Sequence, residues 1–310
     1  MAVLHRPNKQ RYQKIVNSLT EFFELDIIDI PNKDVLKIIE ESNVLSKYDF
    51  VFILGIISYR EKQACQRAGV NWIFLEKAFT TGRKKGVFRI SFNSYYPTKY
   101  HHLFEDNDSR FENISRMTNG HKILPTKALP LDTPVIYAGS SDKYSIWHGL
   151  IDPTQYATQQ IKEIRLHHDA DIIYKPKPIA GKYPEKINKH KKYTQPIDGT
   201  EFLLTEKFSL QTLDFKPRCL VAHGSNILLE ACLLGIPTIC LGDSPVRKIS
   251  RTKIKDINEP YIPTIKEKKK VLNSCSFFEW TCPEVISGEM WNYLKPVFEA
   301  EAYNNVRCVF

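Results

Sequence analysis

The sequence has no apolar run approaching the roughly 18 residues that a membrane-crossing helix needs, so no membrane span is expected. Its first residues, MAVLHRPNKQRYQK, pass from strand-like to basic without the apolar centre of a secretion signal, and the expected location is the cytoplasm. Seven cysteines, at 65, 219, 232, 240, 275, 282 and 308, form no C-x-x-C pair and no ligand-like cluster with histidine, and their number is odd. This argues against a disulfide framework and against a metal centre, and leaves reduced structural thiols as the reading. No segment of one half repeats in the other, so two halves of like architecture would be similar folds without a duplicated motif.

What is present is the balance of a soluble globular chain: 310 residues, 42% hydrophobic and 25% charged. That length suits two cores of about 130 to 160 residues each, hence two lobes. Lysine and arginine total 44 against 35 acidic residues, a formal charge of +9. The excess favours polyanionic partners, which fits nucleic acid and equally fits an enzyme that binds nucleotides.

Apolar runs at 2–5, 25–30, 50–56 and 71–76 alternate with helical spacings over 11–24, 34–45 and 58–68. Strands that are apolar nearly throughout, alternating with helices, predict a parallel sheet covered on both faces. Residues 77–118 are richer in Arg, Lys, Tyr and Asn and contain one strand, VFRISFN. The proline-rich text at 118–134 predicts an interdomain linker. A second α/β series follows: PVIYAG (134–139), a helix near 153–167, DIIYKPKP (171–178), FLLTE (202–206), CLVAHGS (219–225), a helix to about 234, and PTICLG (237–242). The expected division is residues 1–125 and 126–284, with a final helix at 285–310 crossing back to the first domain.

The segment most informative about chemistry is LVAHGSNILLEACLLGIPTICLG, 220–242. A strand ends in His223, Gly224, Ser225 and Asn226 and feeds a helix, so Gly224 allows a tight turn and Ser225 or Asn226 can cap. Free amides and the positive helix end at such a junction suit a diphosphate. Glu230, amid apolar neighbours, could take both hydroxyls of a ribose. The same residues also describe a plain capped junction with Glu230 at a solvent edge. In YKPKP, prolines stiffen a loop that presents Lys175 and Lys177 in fixed directions, as phosphate cations or as ordinary surface lysines. Gly139, Ser140 and Ser141 form a third strand-to-helix turn able to meet phosphate or sugar; Asp142 and His148 beyond it read equally as a surface pair. For proton transfer the carboxylates to consider are Glu76, Asp106 and Asp108, and for support of a leaving diphosphate the cations Arg83 and Arg89.

The pattern carried by Ser225, Glu230, Ala231, Gly235 and Pro237 resembles the donor-site signature of GT-B glycosyltransferases, especially those of the capsule-polysaccharide type. YKPKP resembles their Lys-Pro-His-Pro element, with Lys177 where histidine is usual. The segments 139–167 and 74–111 resemble phage-encoded glycosyltransferases, although Ala78 replaces a glycine there. The resemblance implies two Rossmann-like domains facing a cleft and a nucleotide-sugar co-substrate, a uridine one, in the C-terminal half. It implies no further cofactor and no metal. The expected reaction is sugar transfer to a hydroxyl of a hydroxymethylated pyrimidine in double-stranded phage DNA, in the host cytoplasm. A capsule or cell-envelope polysaccharide is the alternative acceptor. A non-catalytic nucleic-acid-binding protein is the alternative of another class, disfavoured because plain DNA binding needs no carboxylate for a ribose.

Overall fold

The computed structural model describes residues 1–5, 13–31, 33–55, 59–78, 86–111, 123–177, 196–202 and 209–307. The chain divides into two compact units. Unit 1 is Met1–Pro97 with Ser276–Phe310, and unit 2 is Thr98–Cys275.

Unit 1 contains strands β1 (Ala2–His5), β2 (Asp26–Asp29), β3 (Phe50–Leu54), β4 (Asn71–Lys77) and β5 (Val87–Phe92). Helices α1 (Gln13–Phe22), α2 (Lys33–Glu41) and α3 (Tyr59–Arg67) connect them. The six-stranded sheet has the order β11-β5-β4-β3-β1-β2, where β11 is Glu279–Thr281. Strands β1 to β4 are parallel, as the apolar runs predict. The sheet is nevertheless mixed, because β5 runs antiparallel to β4 and β11 antiparallel to β5. Antiparallel neighbours need no covering crossover helix, so β5 and β11 extend the parallel part of the sheet at this edge. Helices α8 (Cys282–Ile286) and α9 (Glu289–Arg307) complete the unit. The Ser18 hydroxyl in α1 donates to the Val285 carbonyl at 2.9 Å, Trp291 meets Phe23 and Phe52 edge-on, and Phe298 stacks on Phe92.

Unit 2 holds a wholly parallel five-stranded sheet, order β10-β9-β6-β7-β8. Its strands are β6 (Val135–Ala138), β7 (Ile172–Lys175), β8 (Glu201–Phe202), β9 (Leu220–Ala222) and β10 (Thr238–Cys240). The helices are α4 (Asp142–Trp147), α5 (Pro153–Arg165), α6 (Asn226–Leu233) and α7 (Ile265–Ser276). The core packs Val135, Tyr137, Ile172, Tyr174 and Val221 of the sheet against Ala157, Ile161 and Ile164 of α5. From β6 the chain builds outward through β7 to β8, then returns to place β9 and β10 on the other side. The order therefore reverses between β6 and β9, and in open α/β sheets ligands bind outside the carboxyl ends of the strands at such a point.

The division of the chain differs from the one expected at 125 and 284. The proline-rich stretch binds into unit 2: the Leu124 amide donates to the Leu233 carbonyl, Lys268 Nζ to the Leu124 carbonyl at 2.7 Å, and the Arg218 guanidinium to the Leu129 carbonyl. Residues 98–111 are likewise tied there. Thr98 donates to the Asp243 carboxylate at 2.9 Å, Ser274 to the His101 carbonyl at 2.8 Å, and Lys248 pairs with Glu105 at 2.8 Å. These carbonyls are satisfied by unit 2, so the stretch is a strap on that unit.

Candidate functional site

The loops leaving β6 and β9 begin at the carboxyl edge of neighbouring parallel strands, on either side of the reversal. Ala138 is paired in register with Ala222 and also with Lys175. This register brings Gly139–Ser141, Lys175–Lys177 and His223–Asn226, three separate stretches of sequence, to one edge.

After β9, Ser225 takes extended backbone and its hydroxyl caps α6 by accepting from the Ile227 amide at 3.5 Å. Gly224 is glycine for want of space rather than for a left-handed φ. A Cβ on it would come within 2.1 Å of the Tyr144 hydroxyl and 2.3 Å of the Asp243 carbonyl oxygen. Asn226 opens the helix and Glu230 stands one turn in, half-buried. The helix closes in a Schellman arrangement: the Ile236 amide donates to the Ala231 carbonyl and the Gly235 amide to the Cys232 carbonyl. Gly235 has φ +77°, and a Cβ there would also meet the Pro125 carbonyl at 2.4 Å. Two members of the motif, Ser225 and Gly235, thus have clear duties in folding.

After β6, the Gly139 amide donates to the Lys175 carbonyl at 2.8 Å, and Tyr174 lies 3.3 Å from where a Gly139 Cβ would be. Ser141 caps the short α4, accepting from the Tyr144 amide, and Ser140 beside it is half-buried. Lys175, the last residue of β7, is 9% exposed, whereas Lys177 is exposed. The β7 loop therefore presents one buried and one open lysine.

The structure adds residues that spacing alone did not single out. Tyr156 on α5 hydrogen-bonds His223 Nδ1 at 2.8 Å, with the two rings edge-to-face. Tyr144 and His148 of α4 pack beside the same imidazole. In the loop after β10, the Gly242 amide donates to the His223 carbonyl at 2.5 Å, and the Arg247 guanidinium donates to the Gly242 carbonyl. Burial, seconded by the Arg247 charge, holds His223 below the usual imidazole range, so the ring is neutral at pH 7. Burial pushes the Tyr156 phenol up to about 12. No sequence signal marks Tyr156 beyond its place in the helix read near 153–167, because its partner lies 67 residues away.

The candidate carboxylates and cations divide between the units. Glu76 and Arg89 lie in unit 1, paired in register across β4 and β5, and Glu279 of β11 faces Arg89 from the other side. Arg89 is 2% exposed and Glu279 fully buried. The guanidinium lies over the Tyr95 and Tyr96 rings, 4.3 and 4.6 Å from their centroids. Burial opposes its charge, but Tyr95, Tyr96 and Glu76 outweigh that, and Arg89 is held charged above its ordinary range. Asp106 and Asp108, expected on the first domain, belong to unit 2. Asp106 is 82% exposed and pairs with Lys270 at 2.9 Å, which lowers its pKa through the hydrogen bond and the charge. Asp108 is exposed. Arg83 lies outside the described residues.

Among the described residues there is no group of three His, Cys, Asp or Glu able to hold a metal, and no helix long and apolar enough to cross a membrane. No protein-family model and no curated protein matches the sequence. Solved structures do match. KpsC from Thermosulfurimonas dismutans, described as a β-Kdo 2,7-transferase, aligns over 93% of this chain and 98% of its own, at 13% identity and TM-score 0.51. KpsC of the same organism described as a β-Kdo 2,4-transferase aligns over 94% and 98%, at 15% identity and TM-score 0.47. The UDP-GlcNAc 2-epimerase of Methanocaldococcus jannaschii aligns over 88% and 90%, at 12% identity and TM-score 0.27. At these identities the likeness is one of fold: the chain has a GT-B-like α/β architecture with a Rossmann-like sheet in each unit.

Proposed function

We propose that the protein is a glycosyltransferase that holds a nucleotide-sugar at the carboxyl edge of the unit 2 sheet and transfers its sugar to a hydroxyl of a surface polysaccharide. The observation that carries this reading is the convergence of three junctions at one carboxyl edge around the β6/β9 reversal: Gly139–Ser141, Lys175–Lys177 and His223–Asn226. The capped start of α6 offers amides and a positive helix end to phosphate. Glu230, one turn further, would accept from ribose hydroxyls, and Lys177 would contribute an exposed positive charge. In the reaction the acceptor oxygen forms a bond to the anomeric carbon and the bond from that carbon to the donor phosphate breaks. The electron pair leaves on the phosphate, and the acceptor proton passes to a carboxylate. Asp106 is ill suited to that role as it stands, being ion-paired with Lys270 and lowered in pKa.

A polysaccharide acceptor is favoured over DNA by the fold likeness to a protein described as a Kdo transferase. The reading of hydroxymethylated DNA as acceptor keeps the support of the formal +9 charge, which an anionic glycan would equally satisfy. The test is a panel of nucleotide-sugars incubated with the protein alone, with capsular polysaccharide primers, and with duplexes carrying 5-hydroxymethylcytosine or 5-hydroxymethyluracil, read by mass. A sugar mass gained by a glycan primer supports the proposal. A sugar mass on a hydroxymethylated base only would move the acceptor to DNA, and no hydrolysis or transfer with any donor would sink the enzymatic reading.

A further inference from the structure

We infer that Tyr156 is a positioning residue: its hydroxyl donates to His223 Nδ1 and keeps the ring proton on Nε2, so that the neutral imidazole donates to a phosphate oxygen of the donor nucleotide. The inference rests on reading the unit 2 edge as the donor site. The bond joins two elements far apart in sequence, the first turn of α5 and the loop leaving β9, at 2.8 Å.

The proton count assigns the tautomer. A half-buried phenol that stays protonated must place its proton, and His223 is the only side-chain partner of the Tyr156 hydroxyl among the described residues. If Nδ1 carried the ring proton, it would donate to the phenol oxygen, and the phenol proton would have no side-chain acceptor among the described residues and would turn to water. With the phenol donating, both groups are satisfied and Nε2 is left with the N–H. Gly242 leaves room for that N–H. A Cβ on Gly242 would lie 2.3 Å from Nε2, 2.5 Å from Cδ2 and 2.8 Å from Cε1. Distances so nearly equal place it over the ring face, which leaves the in-plane direction of Nε2 clear of Gly242. Ser225 and Asn226, two and three residues on, begin the α6 phosphate cradle.

The titratable and charged groups around the ring are Tyr156 from α5, Tyr144 and His148 from α4, Cys240 from β10, and Asp243 and Arg247 from the loop after it. Of these only His148 is a second imidazole, and it is common to every protein compared below.

The tautomer is read directly by nitrogen-15 NMR of the histidine rings, with the His223 signals assigned through His223→Gln. Wild-type protein should show a neutral ring protonated at Nε2, and Tyr156→Phe a mixture of tautomers. Calorimetry with UDP, GDP, ADP, CDP and CMP then tests the contact. At pH 8 Tyr156→Phe should bind the preferred nucleotide about three- to tenfold more weakly. The loss should shrink once the pH is low enough for the ring-nitrogen spectra to show the imidazolium, which donates from both nitrogens without help. In a His223→Gln background, Tyr156→Phe should cost less than about twofold, as a shared pathway requires. A wild-type ring protonated at Nδ1 would overturn the inference whatever binds. So would a loss equal with the ring neutral and with it protonated, or equal in both backgrounds, since that is the mark of a purely structural tyrosine. An Nε2 proton in a wild-type protein that binds none of the five nucleotides would instead sink the donor-site reading, and the phosphate contact with it, while leaving the tyrosine's hold on the tautomer standing.

Discussion

The two units place charged residues at their strand ends in opposite ways. In unit 1, Glu76, Arg89 and Glu279 form a row across β4, β5 and β11, with Arg89 closed under two tyrosines. In unit 2 the loops just past the strand ends carry an exposed Lys177, a half-buried His223 and glycines that let neighbouring chain come close. The same residue types serve an interior in one place and an edge in the other. The cause is topology. Unit 1 is closed at this side by antiparallel strands whose paired residues share a face, whereas a parallel sheet opens a crevice where its strand order reverses.

Substitutions can break this contrast, and the largest effect is expected in unit 1. Arg89→Ala removes a buried cation from beside Glu76 and Glu279, a loss of about 3–5 kcal/mol by analogy with broken buried pairs. Denaturant unfolding measures it, and a change under about 1 kcal/mol would show that the row is not a stabilising ion cluster. On the edge of unit 2, Gly224→Ala must push Tyr144 and the Asp243 backbone apart, at about 1–3 kcal/mol. Gly139→Ala, whose nearest neighbours are 3.3 Å away, should cost less. Equal costs at the two glycines would remove the close-approach account of Gly224.

Acid separates the units more finely. His101 in unit 2 is buried, and burial, aided by Lys248 and His102, holds its pKa near 3 (lowered to about 3) against about 6.5 when unfolded. The unfolded chain therefore binds the extra proton first. This contribution is complete above pH 6.5 and falls by about 1.4 kcal/mol per pH unit below it, until His101 protonates in the folded state. His101→Gln should flatten the stability profile between pH 6.5 and 4, and an unchanged slope would show that other groups drive the acid sensitivity. The smallest effect belongs to Asp106→Asn, which breaks an exposed, solvent-screened pair with Lys270 and should leave the denaturation midpoint essentially unchanged. A tenfold fall in turnover with that variant would restore Asp106 as the base.

Much of the secondary structure was legible in the sequence for a local reason. Strands such as 50–54 and 135–138 are covered on both faces and so appear as unbroken apolar runs. The α6 junction was legible too, since caps and helix stops are chosen by neighbours in sequence: Ser225 at the start, Gly235 at the end. Strand β11 was not, because three residues, Glu-Trp-Thr, become a strand only when β5 offers them an edge. Nor was the fate of the proline-rich stretch, whose carbonyls accept from Arg218 and Lys268, residues that local text does not connect to it.

For the candidate site, the sequence by itself determined which residue types stand at the ends of which strands, and that Ser225, Asn226 and Glu230 share one helix, because backbone periodicity and capping act over a few residues. Only the tertiary structure decided that His223 meets Tyr156, that Arg89 is enclosed beside Glu76 and Glu279, and that Asp106 is tied to Lys270. Those outcomes depend on strand order and register, which long-range packing selects.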